Sequence, residues 1–196
     1  MRYFLFAYLL IYFTIAFVIP TYRVWKRSGV NPITFRSADT AHDYIGKLFK
    51  IVMVSLVVVV LVYSFFPKIY SFLLPVFWLE YPLVRYTGVI LLLLSLGWTV
   101  IAQLQMGNSW RIGIDEEKQT DLVQTGLFRF SRNPIFLGMI VTIFGFFMTI
   151  PNAFTLVILL IGFVLIQIQV RLEEEFLSKM HAASYDDYGK QVRRWL

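Results

Sequence analysis

The chain has 196 residues, 58% of them hydrophobic and 15% charged, with a mean hydropathy of +0.68 and a net charge of +6. That balance excludes an ordinary soluble domain and defines an integral membrane protein, whose surplus of cations suits an anionic lipid surface and comes with no nucleic-acid-binding signature. The absence of cysteine excludes disulfides, thiolate catalysis and cysteine-ligated zinc, and with only His42 and His181 no histidine metal site is expected, so chemistry must rest on carboxylates, arginines, tyrosines, amides and a borrowed cofactor.

Apolar runs at about 3–19, 48–66, 84–104, 135–150 and 153–170 predict an all-α integral membrane protein with five transmembrane helices, the fourth being the shortest. Each run is near the roughly 17–25 residues that a crossing needs. The first run is read as a retained span, because Arg23, Lys26 and Arg27 follow it, whereas a cleaved signal peptide carries its positive end ahead of the apolar run. Residues 26–47 form the longest polar insertion, read as a solvated linker or as a cover for a site. Pro67, Pro75 and Pro82 break the next apolar stretch into an interfacial loop, with Trp78 and Tyr81 near the headgroups. Residues 105–121 read as an exposed turn or hairpin with Trp110 as an interfacial anchor. Leu122, Val123, Leu127, Phe128 and Phe130 then make a short amphipathic approach to the fourth span. Within the spans, Ser55, Ser95, Thr99, Thr142 and Gln167 are read as helix-packing contacts, and Gly138, Gly145 and Gly162 as sites of close packing between spans four and five.

Loop charge sets an orientation, since cationic loops stay cytoplasmic. Six cations follow the first span (Arg23, Lys26, Arg27, Arg36, Lys47, Lys50), four precede the fourth (Arg111, Lys118, Arg129, Arg132) and five follow the fifth (Arg171, Lys179, Lys190, Arg193, Arg194). The other side holds only Arg2, Lys68 and Arg85. The N-terminus is therefore expected outside and the C-terminus in the cytoplasm. No repeat or low-complexity tract divides the chain, which reads as one membrane domain over 1–196.

The last two spans form a hairpin that returns two polar sequences to one face. The first runs Gly126-Leu127-Phe128-Arg129-Phe130-Ser131-Arg132-Asn133-Pro134-Ile135-Phe136-Leu137-Gly138. The second contains Arg171-Leu172-Glu173-Glu174-Glu175-Phe176-Leu177, Tyr185-Asp186-Asp187-Tyr188 and Val192-Arg193-Arg194-Trp195. Asn133-Pro134 suits a helix start, Asn as cap and Pro as first residue, and the free amides there also suit an anion. The three carboxylates read as a solvated helix end, although Gln169 with Glu173 and Arg171 with Glu175 each share a helical face. The tyrosines and the terminal Arg194-Trp195 read as an amphipathic tail on the bilayer.

Together these sequences resemble the isoprenylcysteine carboxyl methyltransferase and phospholipid methyltransferase superfamily, bacterial branch, whose pattern is Leu-Val-x-x-Gly-x-Tyr, Arg-His/Asn-Pro-x-Tyr-x-Gly, Glu-Glu-x-x-Leu and Tyr-x-x-Tyr-x-x-x-Val-x-Arg. The resemblance covers 120–196, leaving 1–119 as N-terminal spans and loops. It implies a cytoplasmic pocket for S-adenosylmethionine at Thr120, Leu122, Val123, Gly126, Phe128, Asn133, Pro134, Ile135, Phe136, Glu174, Tyr185 and Tyr188. Phe128 and Phe136 replace tyrosines, which removes two hydroxyls but keeps aromatic faces for a sulfonium. The resemblance implies catalytic roles for Glu173 and Arg171, and Arg132 is the alternative to Arg171 for orienting an anionic acceptor group. Counting from Tyr185 selects Glu173 with Gln169, while matching by Arg selects Arg171 with Glu175.

The implied activity is methylation of a lipophilic acceptor at the inner face of a bacterial inner membrane, without a metal, the carboxyl of an isoprenylcysteine-like or other lipid-like substrate being the first reading. Phospholipid N-methylation and small-thiol S-methylation are the alternatives. An NADPH-dependent reductase lacks its glycine fingerprint, and a transporter or scaffold would be expected to place ionisable groups near mid-membrane. Oligomeric state is not legible.

Overall fold

In the computed structural model, which describes residues 1–29, 40–111 and 121–196, the chain is almost wholly helical. The polar insertion at 26–47 and the turn at 105–121 therefore lie partly outside the described residues. The first apolar run continues as one 26-residue rod, Arg2–Arg27, built of α1 (Arg2–Phe13), a π-helical turn (Thr14–Val18) and α2 (Ile19–Ser28). The irregularity has a local cause: Pro20 offers no N–H to the carbonyl of Ala16 and its ring crowds that oxygen. Gln103 replaces the missing donor, its Nε2 reaching Ala16 O at 2.7 Å. Only the amide nitrogen can make that bond, so the bond also fixes which way the amide faces.

Helix α3 (Ala41–Phe65) starts on Thr40, whose Oγ1 accepts from the Asp43 amide at 3.2 Å and donates to its carboxylate at 2.8 Å. The proline-broken stretch forms a strap of short pieces, with α4 (Pro67–Tyr70), 3-10 turns at Ser71–Leu73 and Phe77–Leu79, and Phe72, Phe77, Trp78 and Tyr81 exposed. Helix α5 (Pro82–Met106) follows, then α6 (Pro134–Thr149), α7 (Ala153–His181) and a short α8 (Ala183–Gln191). The first rod, α3, α5 and α7 are each long and apolar enough to cross a membrane.

The fourth predicted span is the shorter α6. Its 16 residues reach about 24 Å at 1.5 Å per residue, against a hydrocarbon core of about 30 Å. Irregular backbone at such depth is tolerated only inside protein. Accordingly Ser131 and Asn133 at one end of α6, and Thr149 and Asn152 at the other, are buried. At the far end Asn152 and Thr155 cap α7 reciprocally, at 2.9 and 3.1 Å, and the strap seals the turn through Val76 N to Pro151 O at 2.9 Å and Ala153 N to Leu74 O at 3.1 Å.

Helices α5 and α6 pack through their small residues. A Cβ on Gly145 would come within 3.0 Å of Leu92 and 3.1 Å of the Gly88 carbonyl, and one on Gly138 would overlap the Thr99 hydroxyl. These two glycines therefore serve the contact with α5, and of the three expected to join spans four and five only Gly162 faces the other member, meeting Ile143. Of the polar residues expected at helix contacts, Thr142 and Ser95 bridge helices, Thr142 Oγ1 donating to Ser95 Oγ at 2.9 Å. Thr99 packs at Gly138 without a hydrogen-bond partner among the described residues, whereas Gln167 bonds Arg171 on its own helix. Tyr8 Oη adds a bond to Leu92 O at 2.6 Å. Such bonds in a membrane contribute about 1 kcal/mol each. Trp98 Nε1 to Pro134 O at 2.8 Å then fixes the start of α6 against α5.

Candidate active site

The polar ends of α6 and α7 meet on Glu174. This carboxylate is buried, and Asn133 Nδ2 donates to its Oε1 at 2.8 Å. Its Oε2 receives Arg194 Nε and NH2 at 3.0 and 2.8 Å, with Arg132 NH2 at 3.4 Å. Asn133 thus precedes Pro134 at the helix start, but its side chain does not cap α6. It reaches across to α7 and, at 3.3 Å, to the Arg194 carbonyl. The C-terminal tail is stitched to the same turn by Arg132 N to Arg193 O at 3.0 Å and Ser131 Oγ to Arg194 O at 3.3 Å. Breaking a buried carboxylate–guanidinium cluster on one side strands charge in a low dielectric. The centre therefore locks residues separated by up to 63 positions.

Helix α8 closes the centre. Tyr188 Oη donates to Phe128 O at 2.6 Å, and the Arg132 guanidinium lies 6.0 Å from the Tyr185 ring centre. Gly189 leaves room for Arg132, since a Cβ there would lie 2.6 Å from its NH1. Burial pushes the Tyr188 hydroxyl up to about 12, and burial followed by the Glu174 charge raises that of Tyr185 as well. Both remain protonated donors at neutral pH. The Arg194 guanidinium is held above its ordinary value by its hydrogen bonds to Glu174.

Beside this centre lies a cavity of about 100 Å³ lined by Leu122, Val123, Phe128, Arg132, Asn133, Pro134, Ile135, Phe136, Glu173, Tyr185 and Tyr188. A second cavity, of about 370 Å³, runs between the first rod, α3, α5, α6 and α7, with aromatic and aliphatic walls and Gln169, Lys50 and Arg111 among its polar residues. The two adjoin at Met106, Arg111, Ile135, Phe136 and Glu173. Together they fall within the roughly 300–1,000 Å³ of small-molecule sites.

Two groups at the smaller cavity lack protein partners among the described residues. Glu173 has no hydrogen-bond or ion-pair partner among the described residues, and the buried Tyr185 Oη likewise has none. Buried polar groups without partners are rare and call for an explanation.

Not every expected residue converges. Arg171 is exposed and turns back to Gln167, at 2.6 and 3.0 Å, while Glu175 pairs with Lys179 at 2.6 Å on the outer face. The Arg171–Glu175 alternative is therefore not assembled, whereas Gln169 and Glu173 line one cavity. Gly126 forms a left-handed turn (φ 65°) against Gln105, whose Oε1 accepts from Leu127 N at 2.8 Å, and does not line the cavity. Thr120 lies outside the described residues. Trp110 is buried rather than an interfacial anchor, and lines the larger cavity. Sequence reasoning placed Arg194 only in the tail that the resemblance folds back over the pocket, without its bonds to Glu174, and gave Trp110 no site role. The Val192-x-Arg194 spacing was the available signal for the first; nothing local distinguishes the second from a headgroup tryptophan.

A family model described as phospholipid methyltransferase matches residues 83–184, more than half of the chain. Protein-S-isoprenylcysteine O-methyltransferase from Saccharomyces cerevisiae is 31% identical over 110 residues, which cover 54% of this chain and 45% of the yeast protein. The chain thus spans less than half the length of that relative. The matched segment takes in α5, α6, α7 and the cavity-lining turn before α6. A helical membrane protein that gathers these polar ends about one cleft belongs to the phospholipid methyltransferase family of membrane methyltransferases.

Proposed function

We propose that the chain uses S-adenosylmethionine to methylate a lipophilic acceptor at the cytoplasmic face of a bacterial inner membrane, with 120–196 as the region that carries the chemistry. The observation that carries this reading is the meeting of two cavities at Glu173, one beside the polar Glu174 centre and one reaching between the membrane helices. The residues present fit the cofactor. Tyr185 Oη and Glu173 offer an unpaired donor and acceptor, the amides at the start of α6 suit its carboxylate, and Leu122, Val123, Ile135 and Phe136 suit its adenine. When bound, S-adenosylmethionine supplies a methyl group on an electrophilic sulfonium.

The chain's own task is to align donor and acceptor and to exclude water. Asn133, Arg132 and Arg194 hold Glu174 in place, and through it the two polar ends of the α6–α7 hairpin. Phe128 and Phe136 present aromatic faces toward a cation. Arg171, which faces away from both cavities, has no role in this reading.

Methyl transfer to a carboxylate acceptor, the first reading, releases no proton, and Lys50 and Arg111 supply positive charge along the larger cavity. A phospholipid amine is the second reading, favoured by the unpartnered Glu173 carboxylate, which would take the proton that an ammonium must lose before it attacks. Titration of the purified protein with labelled S-adenosylmethionine tests the site. Glu173→Ala and Asn133→Ala are each expected to weaken binding about tenfold or more; unchanged affinity in both would place the site elsewhere. Comparing prenyl-carboxylate and phosphatidylethanolamine acceptors then separates the two readings.

A further inference from the structure

The opposite end of the molecule holds another cavity, of about 500 Å³, between the start of α1, the end of α3, the strap and the start of α5. Arg2, Tyr70, Glu80 and Arg85 line it. None of its three charged side chains forms a salt bridge among the described residues. Arg85 Nε and Tyr70 Oη are both buried without a hydrogen-bond partner there. Glu80, Arg85 and Tyr70 line this one space together. Aromatic surface completes the wall, with Tyr63 and Tyr70 stacked edge-on at 5.0 Å and Phe77 beside them.

This set of groups matches a ligand with both signs of charge. Guanidinium groups bind phosphate oxygens through charge-assisted hydrogen bonds, while a carboxylate beside aromatic rings suits an ammonium. The strap also exposes Phe66, Ile69, Phe72 and Leu74 next to the polar groups, which fits a ligand whose remainder is apolar. We propose that this cavity binds the zwitterionic headgroup of a glycerophospholipid from the leaflet opposite the Glu174 centre, its phosphate on Arg85 and Arg2 and its ammonium on Glu80. The bound lipid fastens the strap to α1 and α5. The proposal does not depend on methyl transfer.

Native mass spectrometry of the delipidated full chain, titrated with phosphatidylethanolamine, phosphatidylglycerol, diacylglycerol and water-soluble glycerophosphoethanolamine, tests it. Phosphatidylethanolamine is expected to bind best. Arg85→Ala should weaken it about tenfold, the effect of losing a hydrogen bond to a charged group, and Glu80→Gln should abolish the preference over phosphatidylglycerol. Arg85→Lys, which keeps the charge but loses the buried Nε, should weaken binding in the same direction and keeps the test readable if Arg85→Ala does not fold. Equal occupancy in Arg85→Lys and the unaltered chain, or diacylglycerol binding as tightly, would overturn the site. Glycerophosphoethanolamine binding as tightly as the lipid would overturn the membrane source of the ligand.

Discussion

Tyr185 and Tyr188 stand one helical turn apart on α8 with ring centres 6.1 Å apart, yet only Tyr188 spends its hydroxyl on the protein. Their phenylalanine variants should therefore separate. Tyr188→Phe strands the Phe128 carbonyl and should cost about 1–3 kcal/mol of stability in an unfolding titration. Tyr185→Phe removes a hydroxyl with no partner among the described residues, and should leave stability unchanged while weakening cofactor binding several-fold. The pH dependence follows from the same phenols. With Tyr188 raised from the ordinary value of 10.0 to about 12, the folded state holds its proton more tightly than the unfolded chain. Stability should be level below about pH 10 and should fall as pH rises through about 12, in unfolding curves taken across that window. The Tyr-x-x-Tyr spacing was legible in the sequence, but the division of labour was not, because it depends on a carbonyl 60 positions away. The same holds for Asn133. Its place before Pro134 was readable from helix-start chemistry, whereas its bond to Glu174 needed the hairpin to close.

At the level of helices, the α5–α6 contact decides where the cavity-lining turn lies. A Cβ on Gly88 would come within 2.8 Å of the Thr149 amide and 2.9 Å of the Gly145 carbonyl, both backbone atoms that cannot step aside. Gly88→Ala should therefore lower stability by about 1–3 kcal/mol and weaken cofactor binding as well, whereas Gly97→Ala, with open space around its Cβ, should do neither. Paired thermal-shift and binding measurements check this. Apolar run lengths made the helices legible, and proline placement revealed the strap. Helix partners were another matter: adjacency in sequence suggested that the α6 glycines, Gly138 and Gly145, face α7, while both face α5. The π-helical turn also had a readable half, Pro20 opposite Ala16, and an unreadable one, the Gln103 side chain that satisfies the displaced carbonyl.

Across the whole molecule, the chain divides its polar chemistry between two ends. One gathers Arg132, Asn133, Glu174 and Arg194 with two adjoining cavities, and the other gathers Arg2, Tyr70, Glu80 and Arg85 under the strap. The membrane class was legible from composition alone, and the convergence of the hairpin's polar ends from counting spans. The lateral cavity was not, since its walls come from apolar faces of five helical segments that any bundle would bury. Photo-crosslinking with a labelled S-adenosylmethionine analogue, followed by peptide mapping, tests the central claim most directly. The account predicts label on both 121–136 and 173–188, competed by unlabelled cofactor. Competed label confined to other segments, or to only one of these two, would contradict a shared site formed by both ends of the hairpin.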